Sequence, residues 1–390
     1  MFKRFAQQLN KYYTKCDYFF ENNRKNDKYQ LRIHPPLIII ATIKAAFFTN
    51  LRHMLRRHIS LKSLNTFGFD VEASLFMPVA DTDILQNVWK TNLLSLSSPL
   101  ILGGGSNILF KDNYSGLVLQ NLIAGMEEVR ETAEHVWLRF GGGEVWHNVV
   151  MYTIQKNLGG LENMSLIPGT IGASPIQNIG AYGAELKDVF EELDAFDMWH
   201  GKMVKMYSDD CNFGYRDSVF KQAGKGRYFI THVTLRLNKN PTVNVKYGDI
   251  ASTLEQWGIT KPGIADVSRA VIHIRKSKLP DPAELGNCGS FFKNPVVSQE
   301  TADALCTAYP DAKRFDQPDG TAKIAAGWLI EKAGWKGFRR GDAGVHEKQA
   351  LVIVNYGSAT GADVLKLAND IVNDIKLKFG ITLEMEVNTR

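Results

Sequence analysis

Leu100-Ile101-Leu102-Gly103-Gly104-Gly105-Ser106-Asn107 sets three apolar residues directly against three glycines, followed by two short polar side chains. So short an apolar run fits a buried strand, and glycines at its carboxyl end let the chain turn sharply. Successive glycines also let backbone N–H groups approach a pyrophosphate without side-chain clash, while Ser106 and Asn107 add hydrogen bonds. The run is not a Walker loop, because no Gly-Lys-Ser/Thr follows. Nor is it Gly-x-Gly-x-x-Gly, because position 108 is Ile. From the residues alone, a tight strand-ending turn and a phosphate site stand equally open.

The surroundings of this turn read as a small mixed α/β unit over residues 61–122. Asp81 is a plausible N-cap before Ile84, Leu85 and Val88, and Gly116-Leu117-Val118-Leu119 reads as another strand. A second unit, 123–272, opens with Val136-Trp137-Leu138-Arg139-Phe140, alternating toward a glycine turn at 141–143. A helix to about Asn157 follows, with Gly159 near its end. Residues 158–183 are rich in Gly, Pro and Asn, and a connection that long is usually functional. Strands return near 229–237. In a third unit, 273–379, Ser298 can cap a helix ending before Pro310. Residues 362–379 carry a helical apolar period that Gly380 stops. Ile381, Leu383, Met385 and Val387 then alternate with polar residues as a strand would.

At 390 residues the chain exceeds what one core usually supports. Its net charge of +5 is unevenly placed. Residues 1–60 hold 12 of the 46 Lys/Arg and 3 of the 41 Asp/Glu, so the remaining 330 residues are slightly acidic and give no nucleic-acid signal. The apolar run at 37–43 is too short to span a membrane, which needs roughly 20 residues. Residues 1–60 are expected to be a dispensable basic extension, with a true start near Met54 as one explanation and a membrane-surface helix as the other reading. Four cysteines without metal-type spacing fit a reducing compartment, and no metal site is expected. Cys288 lacks a neighbouring His and reads as structural rather than nucleophilic.

Three further motifs carry chemistry. Ser174-Pro175-Ile176-Gln177-Asn178-Ile179-Gly180-Ala181-Tyr182-Gly183 offers small residues with polar groups beyond them. Gly214-Tyr215-Arg216-Asp217-Ser218 presents a permanent charge whose planar fork suits a carboxylate, or else pairs with Asp217. Gly289-Ser290-Phe291-Phe292-Lys293-Asn294-Pro295 wedges a hydroxyl between glycine and two aromatics, where it either reacts or satisfies a local turn. With the glycine run and in this order, these motifs resemble the UDP-N-acetylenolpyruvoylglucosamine reductase (MurB) family, over about residues 61–387.

The resemblance implies an α+β chain: a two-domain FAD-binding fold of the vanillyl-alcohol-oxidase (PCMH) type plus a third α/β substrate domain. The last strand, with residues 380–390, would return to the first FAD-binding domain. It implies non-covalent FAD held by Gly103, Gly104, Gly105, Ser106 and Asn107, and by Ile167, Pro168, Gly169, Gly172, Ser174, Gln177 and Tyr182. NADPH is the implied hydride donor. The implied substrate is a UDP-linked enolpyruvyl amino sugar, met by Tyr215, Tyr247, Lys278, Asn294 and Gln349. Ser290, Arg216 and Glu386 are the implied catalytic residues. By pattern alone Glu386 belongs to a solvated face beside Glu384, so its role is carried by the resemblance. A cytoplasmic monomer of the tyrosine-loop subtype is expected, with no nucleic acid and no obligatory membrane.

Two positions depart from that pattern. Asn388 stands where the family often has arginine, and Phe315 where a tyrosine is expected. The rival readings are another flavin oxidoreductase on the same scaffold and a catalytically silent nucleotide-binding module.

Overall fold

The computed structural model describes residues 54–96 and 99–390, which lie within one compact unit, Met54–Arg390. Residues 1–53, including the apolar run at 37–43, lie outside them. Residues 56–60, expected to belong to the extension, form the strand Arg56–Ser60, paired antiparallel with Glu72–Val79. Glu72–Val79 and Leu100–Leu102 then flank Tyr114–Asn121 in parallel, completing a four-stranded sheet. Helix Thr82–Lys90 joins two of these strands, and Asp81 caps it by accepting from the Ile84 N–H.

A five-stranded antiparallel sheet follows, in the order Lys202–Tyr207, Phe190–Asp197, Tyr228–Asn238, His135–Gly141, Met126–Glu131. Helix Trp146–Gln155 buries Trp146, Val149 and Val150 against it. The helix ends through Asn157, whose φ of 56° reverses the chain, and not through Gly159. Gly159 instead exchanges backbone hydrogen bonds with Asn238. Residues 158–183 are more ordered than a loop reading suggests. They contain 3₁₀ turns at Glu162–Met164 and Ile171–Gln177 and a hairpin joining Gly180–Ala181 to Ala184–Glu185. The expected boundary at 272/273 falls inside helix Ile264–Lys278, which runs through it unbroken and packs on Ile250–Gln256.

The C-terminal region holds a four-stranded sheet of Gly286–Ser290, Val352–Asn355, Ala343–Val345 and Arg339–Arg340. Ser298 caps Gln299–Ala308, and helix Gly361–Phe379 ends on Gly380 at φ 69°. That helix buries Val364, Leu367, Ala368, Ile371 and Ile375 in a core shared with Phe67, Phe69, Leu109, Phe291 and Phe292. The closing segment departs from its strand-like pattern. Ile381 and Leu383 are buried and Thr382 and Glu384 exposed, yet no ladder forms until Asn388–Thr389 pairs in parallel with Ile108–Leu109.

Asp197 anchors the hairpin at the end of its strand. Its side chain is wholly buried and accepts from Arg227 Nε and Nη2 at 3.1 and 2.7 Å and from the Trp199 N–H at 3.0 Å. His200 Nδ1 lies 2.8 Å away. Burial alone would raise its pKa, but these bonds outweigh burial and hold the carboxyl well below the usual range. A depressed carboxyl stabilises the fold fully above its unfolded pKa of about 4 and loses that contribution as pH falls below it. Asp197→Asn is therefore expected to cost about 2–3 kcal/mol at pH 7 and to weaken the acid dependence of Tm. An unchanged Tm at pH 7 in thermal melts would refute this.

Candidate active site

The turn after Leu100–Leu102 and the 167–174 segment face each other across a cleft of about 350 Å³. Their glycines are required by the packing of the chain on itself. A Cβ on Gly103 would lie 2.3 Å from Thr170 Oγ1, and one on Gly105, at φ 64°, would lie 1.9 Å from the Leu64 carbonyl oxygen. Gly104 is closed against Gly169 Cα, and Gly172 against Asn121 and Gly142. The two loops therefore approach as only bare backbones can. Ser174 spends its hydroxyl on the Ile171 carbonyl at 2.7 Å, and Asn178 is committed to Glu185, Gly214 and Lys187.

Among the described residues, the backbone N–H groups of Gly104, Gly105, Ser106 and Asn107 donate to no protein acceptor. Two buried polar atoms on the cleft are also without a partner: Thr170 Oγ1 and Arg275 Nε. Arg275 was missed in the sequence because it is one cation among several in a basic helix end. Burial lowers its pKa, and Arg216 adds repulsion. Idle amides, an idle hydroxyl and a guanidinium with an unpartnered Nε form a donor set suited to a diphosphate. The residues present thus fit FAD.

Arg216 and Tyr215 form the tip of a tight turn closed by hydrogen bonds between Gly214 and Asp217. Arg216 sits at φ 53°, a left-handed conformation that is costly for a residue with a side chain. Its partner is not Asp217, which bonds the Ser218 N–H and Gln222. Arg216 Nη2 donates to the Gly180 carbonyl at 2.7 Å, and Nε lies 3.3 Å from Glu386 Oε1. Lys221, a second cation the sequence did not single out, donates to the Arg216 carbonyl at 3.3 Å.

Glu386 is drawn off the exposed face. Its side chain is 11% exposed, against 72% for Glu384. The cause is backbone stitching: the Lys293 N–H donates to the Glu384 carbonyl, the Glu386 N–H to Phe291 and the Asn388 N–H to Asn107. Burial raises the Glu386 pKa, and Arg216, Lys221 and Lys293 only partly oppose it. Ser290 is exposed on the same cleft, and no hydrogen bond holds its hydroxyl among the described residues. Cys288 is buried, and burial pushes its thiol pKa far up, which removes it as a nucleophile.

Ile167, Pro168, Gly169, Gly172, Ser174 and Gln177 line the cleft with the glycine turn, Ser290, Arg216 and Glu386. Tyr182, Tyr215, Tyr247, Lys278, Asn294 and Gln349 stand outside that lining. The Tyr215 hydroxyl meets the backbone at Asn294, and Lys323 Nζ lies 3.9 Å from the Tyr215 ring. Tyr182 packs on Gly248 and Tyr247 on Gly183, each aromatic seated against the other's glycine neighbour. Lys278 is ion-paired with Asp249, Asn294 accepts from the Ala326 N–H, and Gln349 accepts weakly from the Leu351 N–H. Among the described residues there is no metal-binding cluster and no helix long and apolar enough to cross a membrane.

A glycine cradle with idle amides, set in an α+β frame against a second backbone-lined loop, defines an FAD-binding oxidoreductase of the vanillyl-alcohol-oxidase type. The FAD binding domain model matches residues 74–207, which include both loops. The model of the UDP-N-acetylenolpyruvoylglucosamine reductase C-terminal domain matches residues 281–390. The reductase of that name from Pseudomonas aeruginosa is 48% identical over 335 residues, covering 86% of this chain and 98% of its own. That of Amoebophilus asiaticus is 47% identical over 334 residues, again covering 86% and 98%. The crystal structure of the Thermus caldophilus enzyme has a TM-score of 0.59 at 23% identity, covers 86% of this chain and 99% of that one, and shares the fold. The chain belongs to the UDP-N-acetylenolpyruvoylglucosamine reductase family.

Gly105→Ala should meet both an unfavourable φ and the Leu64 carbonyl, weakening FAD binding at least about tenfold. Gly104→Ala, whose Cβ would sit 3.2 Å from Gly169 Cα, should weaken it less. Flavin absorbance on titration of the apoproteins checks the order, and equal affinities would overturn it.

Proposed function

We propose that this chain reduces UDP-N-acetyl-3-O-(1-carboxyvinyl)-glucosamine to UDP-N-acetylmuramate in peptidoglycan precursor synthesis. One observation carries the reading: a buried Glu386, its pKa raised by that burial, set against Arg216, with the unengaged hydroxyl of Ser290 on the same cleft. When bound, FAD would supply the hydride, taken from NADPH, for the β-carbon of the enolpyruvyl group. The amides of residues 104–107, Thr170 and Arg275 would hold the dinucleotide.

Hydride addition places negative charge on the substrate carboxylate, giving an enediolate-like species. Arg216 meets that charge with a guanidinium that cannot lose its proton. Glu386, whose pKa burial raises, is the group proposed to hold a proton and donate a hydrogen bond to the same carboxylate. The α-carbon must then gain a proton. A serine hydroxyl is too weak an acid for a mild base, but a carbanion-like carbon is basic enough to take its proton. Ser290 is exposed, so water can return that proton.

Tyr215, Tyr247, Lys278, Asn294 and Gln349 are proposed to engage the UDP-sugar. Lys278 would exchange Asp249 for the diphosphate. The units 61–122 with 380–390 and 123–272 are proposed to hold FAD, with 273–379 as the substrate unit. The three described cysteines, Cys211, Cys288 and Cys306, are all unpaired, which supports a reducing, cytoplasmic setting.

In anaerobic half-reactions, NADPH should bleach the bound flavin and the enolpyruvyl substrate should restore its colour. Ser290→Ala should slow the second step by about 100-fold or more while leaving FAD bound. Reoxidation within about threefold of the parent would remove Ser290 as the required acid.

A further inference from the structure

Glu386 does not meet its surroundings evenly. Gln177 Nε2 donates to its Oε1 at 3.0 Å, and Arg216 Nε lies 3.3 Å from the same oxygen. Among the described residues no hydrogen bond reaches Oε2. Gln177 is itself fixed from behind, because Asn107 Nδ2 donates to Gln177 Oε1 at 2.7 Å. Asn107 Nδ2 also lies 3.4 Å from the Glu386 backbone carbonyl. Its own carbonyl accepts from both the backbone N–H of Asn388, at 3.2 Å, and the Asn388 side chain, at 3.1 Å.

These contacts admit one orientation of both amides. A backbone carbonyl only accepts, so the nitrogen end of the Asn107 amide faces Glu386. That nitrogen then needs an acceptor on Gln177, which is Oε1. The remaining end of Gln177, facing Glu386, is a donor. A neutral carboxyl next to two donors that cannot accept must leave the contacted oxygen bare. We propose that Asn107 and Gln177 form a positioning relay that places the proton of Glu386 on Oε2, the oxygen left for substrate. Asn388 belongs to this device: it clamps the loop residue that orients Gln177. The proposal rests on the reading of Glu386 as a proton-bearing group.

The charged and titratable groups facing Glu386 are Arg216, Lys221 and Lys293, with Tyr215 and Cys288 beside them. Each of the cations favours its ionised form, so a loss of donors to Oε1 pushes its pKa further up. Mere loosening of the site would do the reverse, since water entering the cleft would return the carboxyl toward its ordinary value.

The test is the pH dependence of flavin reoxidation by the enolpyruvyl substrate, measured per bound flavin in the full-length holoenzyme. Its alkaline limb reports the loss of the Glu386 proton. Gln177→Leu removes the donor. Asn107→Asp makes residue 107 accept only, so Gln177 must turn its oxygen toward Glu386 and draw the proton to Oε1. Both variants should slow reoxidation at least about tenfold and move the limb up by about one pH unit. Their double variant should be little slower than Gln177→Leu, because Asn107 acts through Gln177. An unmoved or lowered limb in both single variants, or effects that multiply, would overturn the relay. Glu386→Gln separates the two ideas. If it reoxidises normally, the role given to Glu386 fails first. If it is crippled while the relay variants behave as the parent, only the relay fails.

Discussion

Everything at this site depends on a few backbone hydrogen bonds made by residues 384–390. On one side they join Glu384 and Glu386 to Lys293 and Phe291; on the other, Asn388 and Arg390 to Asn107, Leu109 and Lys111. No side chain could do this alone. The segment bridges the serine-bearing strand Gly286–Ser290 and the glycine turn, and each bond fixes the distance between two otherwise separate pieces. Buried backbone groups must find partners, so the register is set by an obligation and not by a preference. Glu386 is drawn into the cleft as a consequence, and its chemistry follows from that burial.

The glycine motifs have a similar double meaning. Read as sequence, they suggest access for a phosphate. In the fold, Gly103 and Gly105 are first required by Thr170 and Leu64, and the idle amides are what remains once that packing is satisfied. The cradle is therefore preorganised: little needs to move for its donors to meet an anion. Arg216 shows the same logic, held at a costly φ by a closed turn and a carbonyl contact before any ligand arrives.

How much of this could be read beforehand depended on whether the signal was local. Asp81, Ser298 and Gly380 act on the next turn of chain, and each capped its helix as its residue type suggested. Asn157 closes its helix about where the sequence placed the end, in a left-handed position that asparagine tolerates better than most residues, while Gly159 pairs with Asn238 instead. The alternation at 381–387 tracked burial correctly up to Glu384 but not hydrogen bonding, since its neighbours offer single contacts and not a ladder. Arg275 and Lys221 carried no local mark. Their importance lies in what surrounds them in space, and spacing along the chain holds no trace of it. The orientation of Gln177 is set by residue 107, seventy positions away.

The pairing of Asn107 with residues 386–388 also bears on how the molecule is made. These contacts close loops of 279 and 281 residues. Contacts of such separation form late, because the chain must first surrender the freedom of everything between. Until then Ile108 and Leu109 present an apolar edge with open hydrogen-bonding groups, which is a template for pairing with another chain. During synthesis the early-made half of the site waits for a strand 281 residues further along the chain. The same stitch that completes the cleft thus doubles as a protective seal, and premature termination would leave a sticky seam as well as an inactive enzyme.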